Sequence, residues 1–209
     1  MPEKFSQFLY DPKFSLNDET KITVNFTKED LHKIEQYSNN VVEFHDKLKT
    51  GWKNKPSLKE SLELGYRGEI AFSKIFNLPM NDQLTFGDKG VDFWFYGLSV
   101  DVKTISKLDH KLMFTSLEAI KADIIVLFFS YSIESASMLG FTTKDDLLND
   151  LLPKEYFVEL DMGFGPRFCL DKKFLKSVKE LLYHDLVLRN SGMISISQKN
   201  GEKFIYEPI

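Results

Sequence analysis

Six consecutive apolar residues, Ile124 to Phe129, constrain the fold of this chain more than any other feature. The run has strand length and is far shorter than the roughly 20 residues a membrane helix needs. A strand without polar alternation is covered on both faces, as in a sheet packed between helices. The 209 residues suit one domain, and 43% hydrophobic residues with 19 Phe supply its core. The N-terminus lacks a charged-then-apolar signal pattern. The lone Cys169 excludes an internal disulfide and a multi-cysteine zinc site, and reads as a core thiol. An intracellular, cytoplasmic protein is expected, with no membrane partner.

Other elements arrange themselves around that strand. Residues 1–19 show no period and read as an irregular arm. Ile22, Val24 and Phe26 alternate like a short strand. Thr27 with Asp30 opens a helix carrying Leu31, Ile34, Ser38, Val41, His45 and Leu48 at helical spacing. His45 reads as a helix histidine, since no second histidine lies at metal spacing. Ser57 with Glu60 opens a second helix, which Asn77 and Pro79 stop near Phe76.

From Val91 the period becomes two. Val91 to Tyr96 and Leu98 to Ile105 read as a hairpin turning at Tyr96-Gly97. Leu112 to Phe114 reads as a third strand, and Thr115 with Glu118 as the cap of a brief helix to Lys121. Met138 to Phe141 suggests another strand, and Thr143 with Asp146 a helix to Leu151. A helix is expected from Asp171 to about Tyr183. Asn200-Gly201 signals a hairpin between Ile194–Ser197 and Phe204–Tyr206. The sum is a mixed α/β or α+β fold, a central mixed sheet flanked by helices, without an internal domain boundary.

Net charge of −4 argues against a small basic DNA-coating protein. It does not exclude nucleic acid as substrate, because a carboxylate metal site is itself acidic. Charge is unevenly spread: Lys47, Lys49, Lys53, Lys55 and Lys59 cluster around Trp52 without an acid among them. This stretch is either a solvated loop or a grip on a phosphate backbone.

Three acids stand in apolar settings. Glu69 falls on the face of the second helix that carries Leu58, Leu62, Gly65, Phe72 and Phe76. A buried acid is costly unless paired, protonated or metal-bound. Pairing with Arg or Lys is one reading and a metal site another. Gly65 and Gly68 flank it and suggest a close backbone approach. In the hairpin, a two-residue turn pairs residue 95 with 98 and therefore Asp92 with Asp101, on one face. Opposed carboxylates repel, and a hard divalent cation between them resolves the conflict. Lys103 shares that face. The acid-x-Lys pattern also occurs at Asp11, Glu19, Asp109 and Asp171, but only Asp101 lies in a strongly apolar strand. The competing reading is a weak surface pair of Asp101 with Lys103.

Glu69 in Gly-Tyr-Arg-Gly-Glu, Asp92 opening a strand, and Asp101-Val102-Lys103-Thr104 on the next resemble the PD-(D/E)xK nuclease superfamily, the restriction-endonuclease-like fold. The resemblance covers about residues 57–142 and includes the strand from Ala122-Asp123 onward. Val91 stands where that family often has proline. An N-terminal strand and helix (20–50) and a C-terminal helix and hairpin (171–207) would be additions to this core.

The resemblance implies a metal-dependent nuclease that hydrolyses DNA phosphodiesters, an endonuclease rather than an exonuclease. It implies Mg²⁺ or Mn²⁺ on Asp92, Asp101 and the Val102 carbonyl. Glu69 would complete the site directly, through water or through a second ion. Lys103 would orient the attacking water or stabilise the transition state. Cutting both strands would call for a homodimer. Trp52, Lys53, Lys55, Lys107 and Lys111 are candidate nucleic-acid contacts, and Arg67 is assigned to the surface or a neighbour. The alternatives are a non-catalytic nucleic-acid-binding or assembly module on the same fold, an exonuclease, or an RNase. No P-loop, dinucleotide fingerprint or nucleophile elbow is present.

Overall fold

The apolar run does form a strand buried on both sides. In the computed structural model, which describes residues 14–18, 21–47, 56–80, 90–148, 157–161 and 166–192, it is the central strand β6 (Ile124–Phe129). Ile124, Val126 and Phe128 enter one hydrophobic cluster, and Ile125 and Leu127 enter another on the opposite face. Strand alternation sends successive side chains to different faces, so both must be apolar.

The main sheet has six strands in the order β1-β2-β7-β6-β4-β3. These are β1 (Phe14–Asp18), β2 (Lys21–Asn25), β3 (Phe93–Phe95), β4 (Leu98–Ile105), β6 and β7 (Ser135–Thr143). β4 runs parallel to β6, and all other neighbours are antiparallel. Asp123 Oδ2 accepts from the Ser99 amide (2.8 Å) and hydroxyl (2.6 Å), tying the starts of the parallel pair.

Two helices carry the N-terminal half. α1 (Lys28–Lys47) starts at the expected box: Thr27 N–H donates to Asp30 Oδ2 (2.6 Å), and Asp30 N–H donates to Thr27 Oγ1 (3.2 Å). α2 (Pro56–Phe76) lays Ala71, Phe72, Ile75 and Phe76 on the sheet. α1 packs on its other side through Ile34, Tyr66 and Ile70, and Tyr37 stacks on Tyr66 at 4.0 Å. α4 (Val178–Asn190) adds Val178, Leu181 and Leu182 to the same face of the sheet as α2.

The opposite face is covered differently. The short α3 (Lys144–Leu148) contributes Leu147, and Thr143 with Asp146 caps it as expected. The rest comes from a second sheet, β5-β9-β8, built from β5 (Leu112–Phe114), β8 (Phe157–Asp161) and β9 (Pro166–Leu170). The sequence reading did not anticipate β8 and β9. The glycines and proline at 163–166 suggest only a loop there.

Three further expectations are corrected. Residues 14–18 are a strand paired with β2, not an irregular arm. The helix near 117 is a 3₁₀ turn, Leu117–Ala119, with Ser116 and not Thr115 at its N-cap. The helix expected from Asp171 is interrupted. Asp171 caps a 3₁₀ turn at Lys172–Phe174, and the chain then extends to pair Lys176 with Phe141. α4 begins only after Ser177, whose box with Glu180 is the stronger signal. Gly140 makes this crossing possible: a Cβ there would lie 2.7 Å from the Lys176 carbonyl and 2.8 Å from Leu175 Cβ.

The hairpin expected at 194–206, and Leu48 and Leu151 at the expected helix ends, lie outside the described residues. Among the described residues, no helix is long and apolar enough to cross a membrane. Cys169 is a buried thiol, and burial pushes its pKa up.

Candidate active site

The β3–β4 hairpin has the register that its turn dictates. Tyr96 and Gly97 both adopt positive φ (49° and 84°), as a two-residue type I′ turn requires. Phe95 therefore faces Leu98, Trp94 faces Ser99, and Phe93 faces Val100. Tyr96 pays for its left-handed backbone through its side chain. Its hydroxyl donates to Asp185 Oδ1 (2.9 Å) on α4, and burial followed by this bond pushes its pKa well up.

Regular pairing stops at Phe93 and Val100, and the strands fork there. Asp92 N–H still donates to the Val100 carbonyl (2.8 Å). The next bond changes type: the Asp92 carboxylate accepts the Val102 N–H at 2.7 Å. Asp92 thus lies against the peptide joining Asp101 to Val102, a closer relation than simple opposition across a ladder. A strand residue directs its N–H and C=O to the same side. The Val102 carbonyl therefore leaves β4 on the edge that Asp92 occupies.

Asp101 and Lys103 alternate with Val100 and Val102, which belong to the core under α2. They project from the other face, and Lys103 Nζ lies 2.7 Å from Asp101 Oδ1. Asp92 and Asp101 are only 7% and 6% exposed, whereas the Lys103 side chain is 42% exposed. This is not a weak surface pair. Both acids are buried, and Asp101 pairs with a lysine that reaches solvent.

Glu69 is half-buried on α2. The residue before it makes the close approach expected of the glycines. A methyl built on Gly68 would overlap Thr104 Oγ1 and lie 3.1 Å from Val102 Cγ1. Gly65 meets nothing within 4 Å, so the approach belongs to Gly68 alone. Val102 and Thr104 face α2, and Asp101 projects from the opposite face of β4 to the one that α2 covers.

Of the two places expected for Arg67, the structure shows it beside a neighbour, Glu63, and not on the surface. Its side chain is 12% exposed, Nη2 is 3.5 Å from Glu63 Oε2, and Nε is buried with no hydrogen-bond partner among the described residues. Burial lowers its pKa, against the opposing charge of Glu63. Trp52, Lys53 and Lys55 lie outside the described residues. Lys107 is exposed and Lys111 half-buried, both in the loop that leaves β4.

Among the described residues, no three His, Cys, Asp or Glu side chains are grouped so as to hold a metal ion. The donors at the fork are two buried carboxylates and one carbonyl. An all-oxygen set of this kind fits Mg²⁺ or Mn²⁺ better than a soft ion. Comparison with protein-family models, curated proteins and solved structures found no match for this chain.

Proposed function

We propose that the fork of β3 and β4 is the active site of a metal-dependent DNA nuclease of the PD-(D/E)xK type, with the restriction-endonuclease-like core. The observation that supports this reading is the bond from the Val102 amide to the buried Asp92 carboxylate, next along β4 from the buried Asp101 that pairs with Lys103. The parallel strand β6 beside β4 supports it, since the resemblance expects a central strand there.

Asp92, Asp101 and the Val102 carbonyl would hold Mg²⁺ or Mn²⁺, and Glu69 would join from α2 through water. Bound there, the ion supplies an acidified water and charge neutralisation on the phosphate. The chain's own residues do the rest. Asp101 holds the Lys103 ammonium at the fork. Lys103 orients the water that attacks phosphorus in line, and stabilises the negative charge that gathers on the phosphate oxygens. Packing of β4 and α2 around the carboxylates holds them in place.

The test is cleavage of supercoiled plasmid, linear duplex, single-stranded DNA and RNA with Mg²⁺, Mn²⁺ or EDTA. The expected result is metal-dependent cutting of DNA that is lost in Asp101→Asn and Lys103→Ala. Cutting of RNA alone would transfer the site to an RNase. No cutting of any substrate would favour the non-catalytic module.

A further inference from the structure

The sheet end nearest Lys103 carries an exposed aromatic on a rigid turn. Tyr131 is 86% exposed and Ile133 is 59% exposed, in the short connection between β6 and β7. Exposed side chains of this size on a loop are ordinarily mobile, but this loop is tied down. Ser130 is 2% exposed, and its hydroxyl donates to the carbonyls of Ser132 and Ser135, both at 2.9 Å. Glu134 N–H donates to Ser132 Oγ (3.2 Å), and Phe26 N–H donates to the Glu134 carbonyl (2.8 Å). The Ser130 N–H reaches the Ile105 carbonyl at 2.9 Å.

That last bond places the turn relative to the proposed site. Ile105 ends β4 two residues after Lys103, about 7 Å along the strand. In stacked DNA this is about two base steps. The loop leaving Ile105 carries Lys107 and Lys111, and Lys172 Nζ is bonded to the Leu108 carbonyl within it. Asp109 and Glu134 are the acids on these two loops. They match Lys107 and Lys111 in number, and Lys172 is the further lysine brought to these loops, by its bond to Leu108.

We infer that Tyr131 is a stacking platform for a base of the substrate strand, and that the nuclease acts on DNA with unpaired bases. The inference rests on the nuclease reading. An aromatic ring offers its face to any base, but only to a base whose own face is exposed. In continuous duplex the bases stack on one another. Single strands, flaps and frayed ends present such a face. The lysines follow the phosphates beside it, and the fixed turn spares the entropy of ordering the ring.

The test measures binding of a fluorescent single-stranded oligonucleotide and of a blunt duplex of equal length, in EDTA, by anisotropy. Wild type is expected to prefer the single strand. Tyr131→Ala is expected to weaken single-strand binding about tenfold with little effect on duplex. Tyr131→Trp is expected to restore the affinity. Lys107→Ala with Lys111→Ala should instead weaken both and flatten the salt dependence. Tyr131 is exposed, so thermal melts of these variants should match wild type. Unchanged single-strand binding in Tyr131→Ala, alongside intact cleavage, would overturn the platform and leave the nuclease standing. Wild type that prefers duplex would overturn it too. Failure of wild type both to bind and to cut DNA would remove the nuclease reading and this inference together.

Discussion

The carboxylate of Asp92 accepts the backbone N–H of Val102 at 2.7 Å, in the position a β3 carbonyl would take if the hairpin ran on. One side chain thus ends a ladder and begins a site. Asp92→Asn keeps an oxygen acceptor for that amide and removes the charge. Its stability should stay within about 1 kcal/mol of wild type, while Mn²⁺ affinity falls more than tenfold. Asp92→Ala leaves the amide buried and unpaired and should cost about 1–3 kcal/mol. Urea melts and metal titrations on the same two variants separate the structural from the chemical role.

The two glycines before Glu69 should respond oppositely to alanine. Gly65→Ala has open space and gains helix propensity, and should stabilise by up to about 1 kcal/mol. Gly68→Ala pushes α2 away from Thr104 and Val102, and overpacking of this kind costs about 1–3 kcal/mol. Thr104→Ala removes the atom most in the way and should recover much of that loss. Chemical denaturation of the singles and the double measures the coupling.

Acid should weaken the fold at two capped helix starts. Burial pushes the Asp30 carboxyl up, but bonds from Lys74 and Thr27 outweigh it and hold its pKa below the ordinary value. Asp146 is held down in the same way by Lys176 and Thr143. A carboxyl with a depressed folded pKa stabilises the fold above the unfolded pKa. That stabilisation is lost as pH falls from about 4 through the folded values. Lys74→Met and Lys176→Met should each narrow the gap between stabilities measured at pH 7 and pH 3. An unchanged gap would show that neither ion pair carries the acid response.

The turn of the hairpin is held to α4 through Asp185. Asp185, 2% exposed, accepts from Tyr96 and from Arg189 Nε at 2.8 Å. Arg189 also donates to the Phe76 carbonyl at the end of α2 (2.5 Å). Asp185→Ala strands the buried Tyr96 hydroxyl and removes the partner of the partly exposed Arg189, and should cost about 2–3 kcal/mol, less than breaking a fully buried ion pair. Asp185→Asn keeps an acceptor and should lose less. Both are read from urea midpoints.

Local rules made the hairpin legible. Tyr96-Gly97 fixes a two-residue turn and the register from Phe95–Leu98 to Phe93–Val100, but the direct opposition of Asp92 and Asp101 expected from that register does not follow, because regular pairing ends at Phe93. Glu69 was visible because a 3.6-residue period leaves few places for an acid. What escaped was set by distant contacts. β3 starts at Phe93, two residues later than expected, and Asp92 just before it bonds the Val102 amide through its side chain, which no spacing shows. α4 starts at Ser177 and not near Asp171 because Lys176 pairs with Phe141 across the space left by Gly140. β9 runs beside β5, and nothing in either segment alone names the other. Tyr131 went unnoticed because its exposure depends on the serines that hold its turn.

The central claim is that the fork of β3 and β4 holds a divalent cation. Titration of the full chain with Mn²⁺, followed calorimetrically, tests it directly. Wild type should show saturable binding that disappears in Asp92→Asn and in Asp101→Asn, with melting curves that show both variants folded. Absence of binding in wild type, or binding that survives both substitutions, would contradict the account.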